Sequence, residues 1–186
     1  MNKIMNKRLI GKMVAVVCVV TALSPGAIWA QQKYPVSISS EGAKTRFIQQ
    51  LAIDVDDLPG HQVRVFENHR IYAADKQVTV LGERIVESFG RGLSNYVTGI
   101  GPVFGYTTLV SDKGNKIFLE FSGSSETRPT ETGSKRGTYR GTARFVGGTG
   151  PFSNIRGYLV EEAKYDTDPE TGYNFGEFRG EYWFAQ

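Results

Sequence analysis

Short runs of apolar residues alternate with polar residues along most of the chain. The runs are rich in Val, Ile, Phe, Tyr and Thr, and Gly, Asn, Asp and Pro stand between them, which is typical of β-strands joined by short turns. Long helical periodicity is absent after residue 30. The pattern predicts eight strands, over residues 45–55, 62–72, 81–89, 103–111, 116–122, 139–146, 157–165 and 174–184.

Eight mostly antiparallel strands with short turns are typical of a closed barrel or a sandwich. Most of these strands have one apolar face, as the interior of a barrel requires. In 116–122 the apolar face contains Ile117, Leu119 and Phe121, and in 174–184 it contains Phe178, Tyr182 and Phe184. We therefore predict an all-β fold, an eight-stranded antiparallel barrel with room for packed side chains or one small ligand.

The strand 62–72 has apolar residues on both faces, so its orientation is less obvious. One face carries Val63, Val65, Glu67, His69 and Ile71, and we expect it to point inward. The other face carries Arg64, Phe66, Asn68, Arg70 and Tyr72, and we expect it to face solvent.

The first thirty residues have the pattern of a signal peptide. A basic segment precedes an apolar core, 13–23, and Ala30 ends a plausible cleavage site. The core is shorter than the ~20 residues that span a bilayer. We expect cleavage after Ala30, no membrane association afterwards, and a periplasmic or secreted protein. The predicted organisation is a signal peptide over 1–30, a flexible amino-terminal arm over 31–46 and one barrel domain over 47–186.

Removal of the leader changes the charge argument. Four of the 22 Lys and Arg residues lie in it. The remaining 18 basic residues and the 19 acidic residues give a net charge of about −1. The mature chain then offers no clustered basic face, and we expect no nucleic-acid partner. It also has no cysteine, because Cys18 lies in the leader.

Neither a metal nor a cofactor is predicted. His61 and His69 do not have the spacing of a zinc site. The glycine-rich run 99–105 leads into a strand, whereas a dinucleotide loop leads into a helix.

The run Gly147-Gly148-Thr149-Gly150-Pro151-Phe152-Ser153-Asn154-Ile155-Arg156-Gly157 is the most informative stretch of the chain. Its glycines frame a short apolar insert between two strands, which indicates a structured corner with Phe152 and Ile155 beneath it. This run resembles the glycine corner of the allene oxide cyclase and dirigent barrels. The hairpin 106–121, Ser94-Asn95 and the strand 65–70 are also similar, and the chain looks like the exported bacterial branch of that superfamily.

The resemblance implies an eight-stranded antiparallel barrel with an apolar cavity, no metal or nucleotide, and a homo-oligomer, either a dimer or a trimer. Allene oxide cyclases bind a fatty-acid-derived epoxide, and dirigent proteins bind phenolic intermediates. Carried over, the cyclase glutamate falls on Glu67, the strand asparagine on His69 and the second asparagine on Asn95. A gapless alignment would instead place Asn68 on the strand asparagine and lose the glutamate.

Glu67 and His69 lie two residues apart and so project from one face of a strand. Such a couple could serve as acid and base, or simply stabilise the strand as a satisfied polar pair. Val65, Tyr96, Tyr106 and Phe118 are candidate ligand-binding residues, although aromatic residues in strands are more often ordinary packing. Glu120 and Arg144 are expected to form a surface ion pair.

Three functions follow. The first, which we favour, is an exported barrel that binds a fatty-acid-like or phenolic molecule in an apolar cavity. The second is a cofactor-free cyclase or isomerase using Glu67, His69 and Asn95. The third is a filled barrel that acts through its outer surface as a protein-interaction subunit.

Overall fold

The structure, a computed structural model, describes residues 31–166 and 174–185. The predicted signal peptide, 1–30, lies outside the described residues, as do residues 167–173 and 186. The described residues belong to one compact unit. No helix within them is long and apolar enough to cross a membrane.

Antiparallel strands make up most of the described chain, so the all-β prediction is confirmed. Two short 3-10 turns, Ala74–Lys76 and Gly150–Phe152, interrupt the strands. The strands are β1 (Tyr34–Ser39), β2 (Lys44–Asp54), β3 (His61–Ile71), β4 (Thr79–Val80), β5 (Glu83–Val97), β6 (Ile100–Ser111), β7 (Lys116–Pro129), β8 (Lys135–Gly148), β9 (Ile155–Asp166) and β10 (Asn174–Phe184).

One sheet contains these strands in the order β1-β10-β9-β8-β7-β6-β5-β3-β2, and β4 pairs with β5. Because every neighbouring pair is antiparallel, the two end strands, β1 and β2, run in the same sense. They are also consecutive along the chain, separated only by residues 40–43. One segment of the chain, bent at residues 40–43, therefore supplies both end strands of the sheet. Closure of the barrel by hydrogen bonds between β1 and β2 stays a prediction.

The strand count differs from the predicted eight. The amino-terminal segment that we expected to be a flexible arm contains β1, which pairs with β10 from Tyr34↔Tyr182 to Ser39↔Glu177. Val36 and Ile38 of β1 are buried in the core, so six residues sufficed to order a segment that looked polar. The other additional strand, β4, has only two residues, too few for an alternating pattern to be visible.

The core lies on the inner face of the sheet. In β7, Ile117 and Leu119 are buried, and in β10, Phe178 and Tyr182 are buried, which confirms the orientation predicted for both strands. The core cluster consists of Val36, Ile38, Tyr72, Val80, Ile85, Leu109, Ile117, Leu119, Ala143, Phe145, Phe152, Ile155, Leu159, Phe178 and Tyr182.

The predicted orientation of β3 is wrong. Phe66 is 8% exposed, whereas Val65 is 55% exposed and Ile71 49%, so Val65 and Ile71 are on the outer face. The reason lies in the pairing of β3 with β5, where Phe66 is opposite Gly92. A Cβ at Gly92 would lie 2.7 Å from Cζ of Phe66 and 2.9 Å from the backbone oxygen of Phe104, so a larger residue there would displace the ring. The lack of a side chain at position 92 of β5 therefore determines which face of β3 points inward.

The glycine-rich run forms a tight corner between β8 and β9. Gly150 has φ +55°, and a Cβ there would lie 2.5 Å from Oδ1 of Asn115, so the position requires glycine. Thr149 fastens the corner to the start of β7: its N–H donates to the carbonyl of Lys116 at 2.8 Å, and its Oγ1 accepts from the Lys116 N–H at 2.9 Å. Phe152 beneath the corner is fully buried.

We predict that Phe152→Ala destabilises the protein by about 3–5 kcal/mol, because it removes a fully buried ring and leaves a cavity. Urea unfolding followed by circular dichroism measures the change in the free energy of unfolding. Ser153→Ala, next to it in the same corner and exposed, is the matched control and should change little. A loss below about 1 kcal/mol for Phe152→Ala would show that the corner does not anchor the core.

Candidate functional site

A tyrosine and a glutamate meet on the inner face of the sheet. The hydroxyl of Tyr139 on β8 donates a hydrogen bond of 2.8 Å to Oε2 of Glu161 on β9. The charge of Arg70 on the inner face of β3 acts on Glu161. Its guanidinium carbon lies 5.8 Å from the ring centre of Phe178 on β10. Strands from different parts of the sheet thus bring together Tyr139, Glu161 and Arg70, which we call the inner cluster.

Burial dominates the electrostatics of the inner cluster. Removal from water raises the pKa of the Glu161 carboxyl, and the Tyr139 hydrogen bond and the Arg70 charge only partly offset this effect. Burial, reinforced by the charge of Glu161, also raises the pKa of Tyr139. Both shifts favour the neutral forms, so the pair can donate and accept hydrogen bonds in a place that water only partly reaches. Both residues are partly rather than fully buried.

A second polar group, around Arg64, is formed by residues of β2, β3 and β5. The guanidinium carbon of Arg64 lies 5.0 Å from the ring centre of Phe66, 5.4 Å from that of Phe47 and 5.9 Å from that of Tyr96. Nη1 of Arg64 donates to Oε1 of Gln50 at 3.0 Å.

Glu67 and His69 share a face of β3, as predicted, but it is the outer face. Oε1 of Glu67 forms an ion pair of 2.6 Å with Arg91, directly opposite on β5, and Oε2 accepts from Gln49. Nε2 of His69 lies 2.7 Å from Oε2 of Glu87, and its ring stacks on Phe89 at 4.5 Å. Each residue is bonded to neighbouring strands rather than to the other.

Asn95 is also on the outer face, in a third set of contacts. Its Oδ1 accepts from Nε2 of His61 at 2.6 Å, and Nδ1 of His61 lies 2.5 Å from Oδ1 of Asp57. The bond to Asp57, and then that to Asn95, raises the pKa of His61, and the pKa of Asp57 is lowered by the same bond to His61. These contacts favour a charged imidazolium that donates from both ring nitrogens. The structure therefore does not bring Asn95 to Glu67 and His69.

The four predicted ligand-binding residues lie on different faces. Tyr96 faces inward beside Arg64, whereas Val65 and Tyr106 are on the outer face, Tyr106 being 61% exposed. Phe118 is half-buried on the outer face of β7, opposite Thr108 of β6. Only Tyr96 could contact a ligand bound near the inner cluster.

A groove of about 820 Å³ runs over the outer face of β6 to β10. Phe104, Tyr106, Tyr158 and Trp183 contribute aromatic rings to it. The predicted ion pair is present there, with Nη2 of Arg144 at 2.5 Å from Oε2 of Glu120. The groove is open and lies opposite the face that carries the inner cluster.

The sequence contained a signal for Glu161 that our prediction did not use. Within β9, residues 155, 157, 159, 161 and 163 share one face, and Glu161 is the only acid among Ile, Gly, Leu and Ala. An acid in an otherwise apolar inner face indicates a polar site. The sequence contained no such signal for Tyr139, Arg64 or Arg70. Their positions on the inner face depend on how the strands pair, which is not visible in a single strand.

Comparisons with known proteins gave similar solved structures, among them two of pterocarpan synthase dirigent proteins. The GePTS1 structure is 13% identical, covering 91% of this chain and 100% of that chain at a TM-score of 0.44. The PsPTS1 structure is 16% identical, covering 85% of this chain and 99% of that chain at a TM-score of 0.42. No family model and no curated protein matches the chain. Because both TM-scores are below 0.5, the fold assignment is based on the strand pairing described above.

We predict that Glu161→Gln flattens part of the dependence of stability on pH. A raised carboxyl pKa means that, above the ordinary value of about 4.5, the folded state holds its proton longer than the unfolded state. Stability therefore falls as the pH rises from there through the folded-state pKa, and then stays lower. Glutamine cannot ionise but can still accept the Tyr139 hydrogen bond, so the variant lacks this fall.

Urea unfolding of both proteins between pH 4 and pH 8 measures the difference. Glu162→Gln, on the exposed outer face of the same strand, is the matched control and should keep the wild-type fall. Parallel wild-type and Glu161→Gln profiles would contradict a raised pKa.

Proposed function

We propose that this chain is a small-molecule-binding barrel of the dirigent-like type, whose ligand lies on the inner face beside Tyr139 and Glu161. The observation that supports it best is the partly buried Tyr139–Glu161 pair, with aromatic rings and arginines around it. Ligand sites typically combine apolar walls with a few polar groups that fix the orientation of the ligand. The neutral forms favoured by burial suit a ligand with a hydroxyl or carbonyl group.

Export is part of the proposal, because the leader pattern of residues 1–30 predicts it. The proposed place of action is the periplasm or the outside of the cell. The ligand classes are those predicted from the sequence, fatty-acid-like or phenolic molecules.

Tyr139 and Glu161 are also the inner-face groups that a cofactor-free isomerase could use. A carboxyl group with a raised pKa keeps its proton to a higher pH than an ordinary glutamate, so it can donate that proton and take it back. Glu67, His69 and Asn95, which the cyclase resemblance implied, lie on the outer face and are bonded elsewhere. If the protein catalyses an isomerisation, Glu161 is therefore the residue that we propose as acid and base.

We predict that the protein purified from its exported pool contains a small molecule, which native mass spectrometry followed by denaturing extraction would identify. Loss of one hydrogen bond in Tyr139→Phe or Glu161→Gln should weaken its binding about tenfold. Glu67→Gln, on the outer face, is the matched control and should bind like the wild type. Conversion of the bound molecule that stops in Glu161→Gln, even at concentrations that saturate the weakened site, would indicate an isomerase.

Two results would count against this proposal. The first is protein free of any bound species, together with no thermal shift from fatty acids or phenolics. The second is a ligand whose binding depends on Glu67 and His69 but not on Tyr139 and Glu161, which would move the site to the outer face.

The outer face supports a second candidate function, assembly. Leu51, Val65, Leu93 and Phe104 are opposite one another on β2, β3, β5 and β6. Leu51 is 63% and Phe104 50% exposed. An exposed apolar row of this kind, continued by the aromatic groove, is typical of a protein interface. We propose that this face joins copies of the chain into a dimer or trimer.

We predict that the protein sediments as an oligomer in analytical ultracentrifugation and that Phe104→Asp shifts it to a monomer, because a charge would be buried in the contact. Leu58→Asp, at an equally exposed apolar position in the turn after β2, is the matched control and should remain oligomeric. A wild-type protein that is monomeric at about 100 µM would exclude a stable interface, since apolar contacts of this kind usually hold at micromolar concentration.

A further inference from the structure

Arg64 has a charge that the described residues do not neutralise. It takes part in no ion pair with the carboxylates of residues 31–166 and 174–185. Its Nε is buried and has no hydrogen-bond partner in the described structure. Among the described residues, its one side-chain hydrogen-bond partner is the neutral amide of Gln50. Burial of a cation without a counter-ion is costly, and the three nearby rings compensate only part of that cost.

Ser94 presents a second unused group at the same place. It is fully buried, at 0% exposure, and its Oγ has no hydrogen-bond partner among the described residues. It is directly opposite Arg64 in the β3–β5 ladder and on the same inner face. Opposite residues in an antiparallel pair have their Cβ atoms about 5 Å apart. A hydroxyl donor and a guanidinium donor are therefore side by side, and both lack an acceptor.

From this pair of unused donors we infer that Arg64 and Ser94 bind the carboxylate of the ligand. A carboxylate supplies two acceptor oxygens and one negative charge, so it can accept from Nε of Arg64 and Oγ of Ser94 and neutralise the guanidinium. A neutral hydroxyl or amide oxygen could satisfy one donor but would leave the charge uncompensated. The inference rests on the proposed function, because it requires a ligand on the inner face.

The surroundings of this subsite define the rest of the ligand. Phe66 and Tyr96 offer ring faces beside Arg64, and Tyr96 is close enough to Tyr139 of the inner cluster for its ionised form to raise the pKa of Tyr139. The two polar groups are thus neighbours across an aromatic surface. The ligand that fits is an organic acid with an apolar or aromatic body, whose carboxylate binds at Arg64 and Ser94 and whose more distant polar group meets Tyr139 and Glu161.

Two acid–amide pairs test the inference with the intact mature protein. The probes are 4-coumaric acid with its amide and decanoic acid with its amide, measured by isothermal titration calorimetry at pH 7.5. At least one acid should bind about tenfold or more tightly than its amide, since a charge-assisted hydrogen bond is worth more than a neutral one. Ser94→Ala should reduce this ratio several-fold, and Arg64→Met should abolish it.

Arg140→Met removes a cation from the exposed outer face and should leave the ratio unchanged. If Arg64→Met does not fold, the ratio of acid to amide affinity in the wild type and in the conservative Ser94→Ala variant still tests the inference. Equal binding of acid and amide by the wild type would overturn the inference. So would an unchanged ratio in Ser94→Ala together with Arg64→Met, or failure of both acids to bind.

Extraction of the ligand separates the two proposals. A co-purifying molecule without a carboxylate, whose binding weakens in Glu161→Gln, would overturn the carboxylate subsite and leave the binding function standing. Failure of every probe and absence of a co-purifying molecule would overturn both. A co-purifying organic acid that is lost in Ser94→Ala would support both.

Discussion

The packing of Phe66 over Gly92 determines which side of β3 points into the sheet. Because side chains alternate along a strand, this one contact orients all the others in β3. It turns Arg64, Asn68 and Arg70 inward and leaves Glu67 and His69 outside. A shift of one residue in this ladder would exchange the two sets completely. The chemistry of the interior therefore depends on a position that has no side chain.

The strands themselves could be predicted from the sequence because alternation is a local property. Ile117 and Leu119 are separated by one residue and are both apolar, so their common face follows without knowledge of any partner. The orientation of β3 could not be predicted in this way, because Val65 and Phe66 are both apolar and only the partner strand distinguishes them. The count of valines and isoleucines favoured the wrong face.

The candidate site was harder to predict than the fold for a related reason. The resemblance to cyclases directed attention to Glu67 and Asn95, whose side chains are on the outer face with partners of their own. Glu161 was visible as an acid on an apolar face, but its significance depends on Tyr139, which is 22 residues earlier in the chain. Sites of this kind arise where several strands meet, and a sequence read one strand at a time does not reveal them.

The amino-terminal segment lies at both ends of the sheet, and this arrangement constrains the order of folding. The contact of Tyr34 with Tyr182 joins the first strand to the last across nearly the whole domain. Contacts of such large sequence separation form slowly because the intervening loop must close first. During synthesis β1 has no partner until β10 has been made. The first strand thus stays unpaired, and the sheet incomplete, until β10 is available to it.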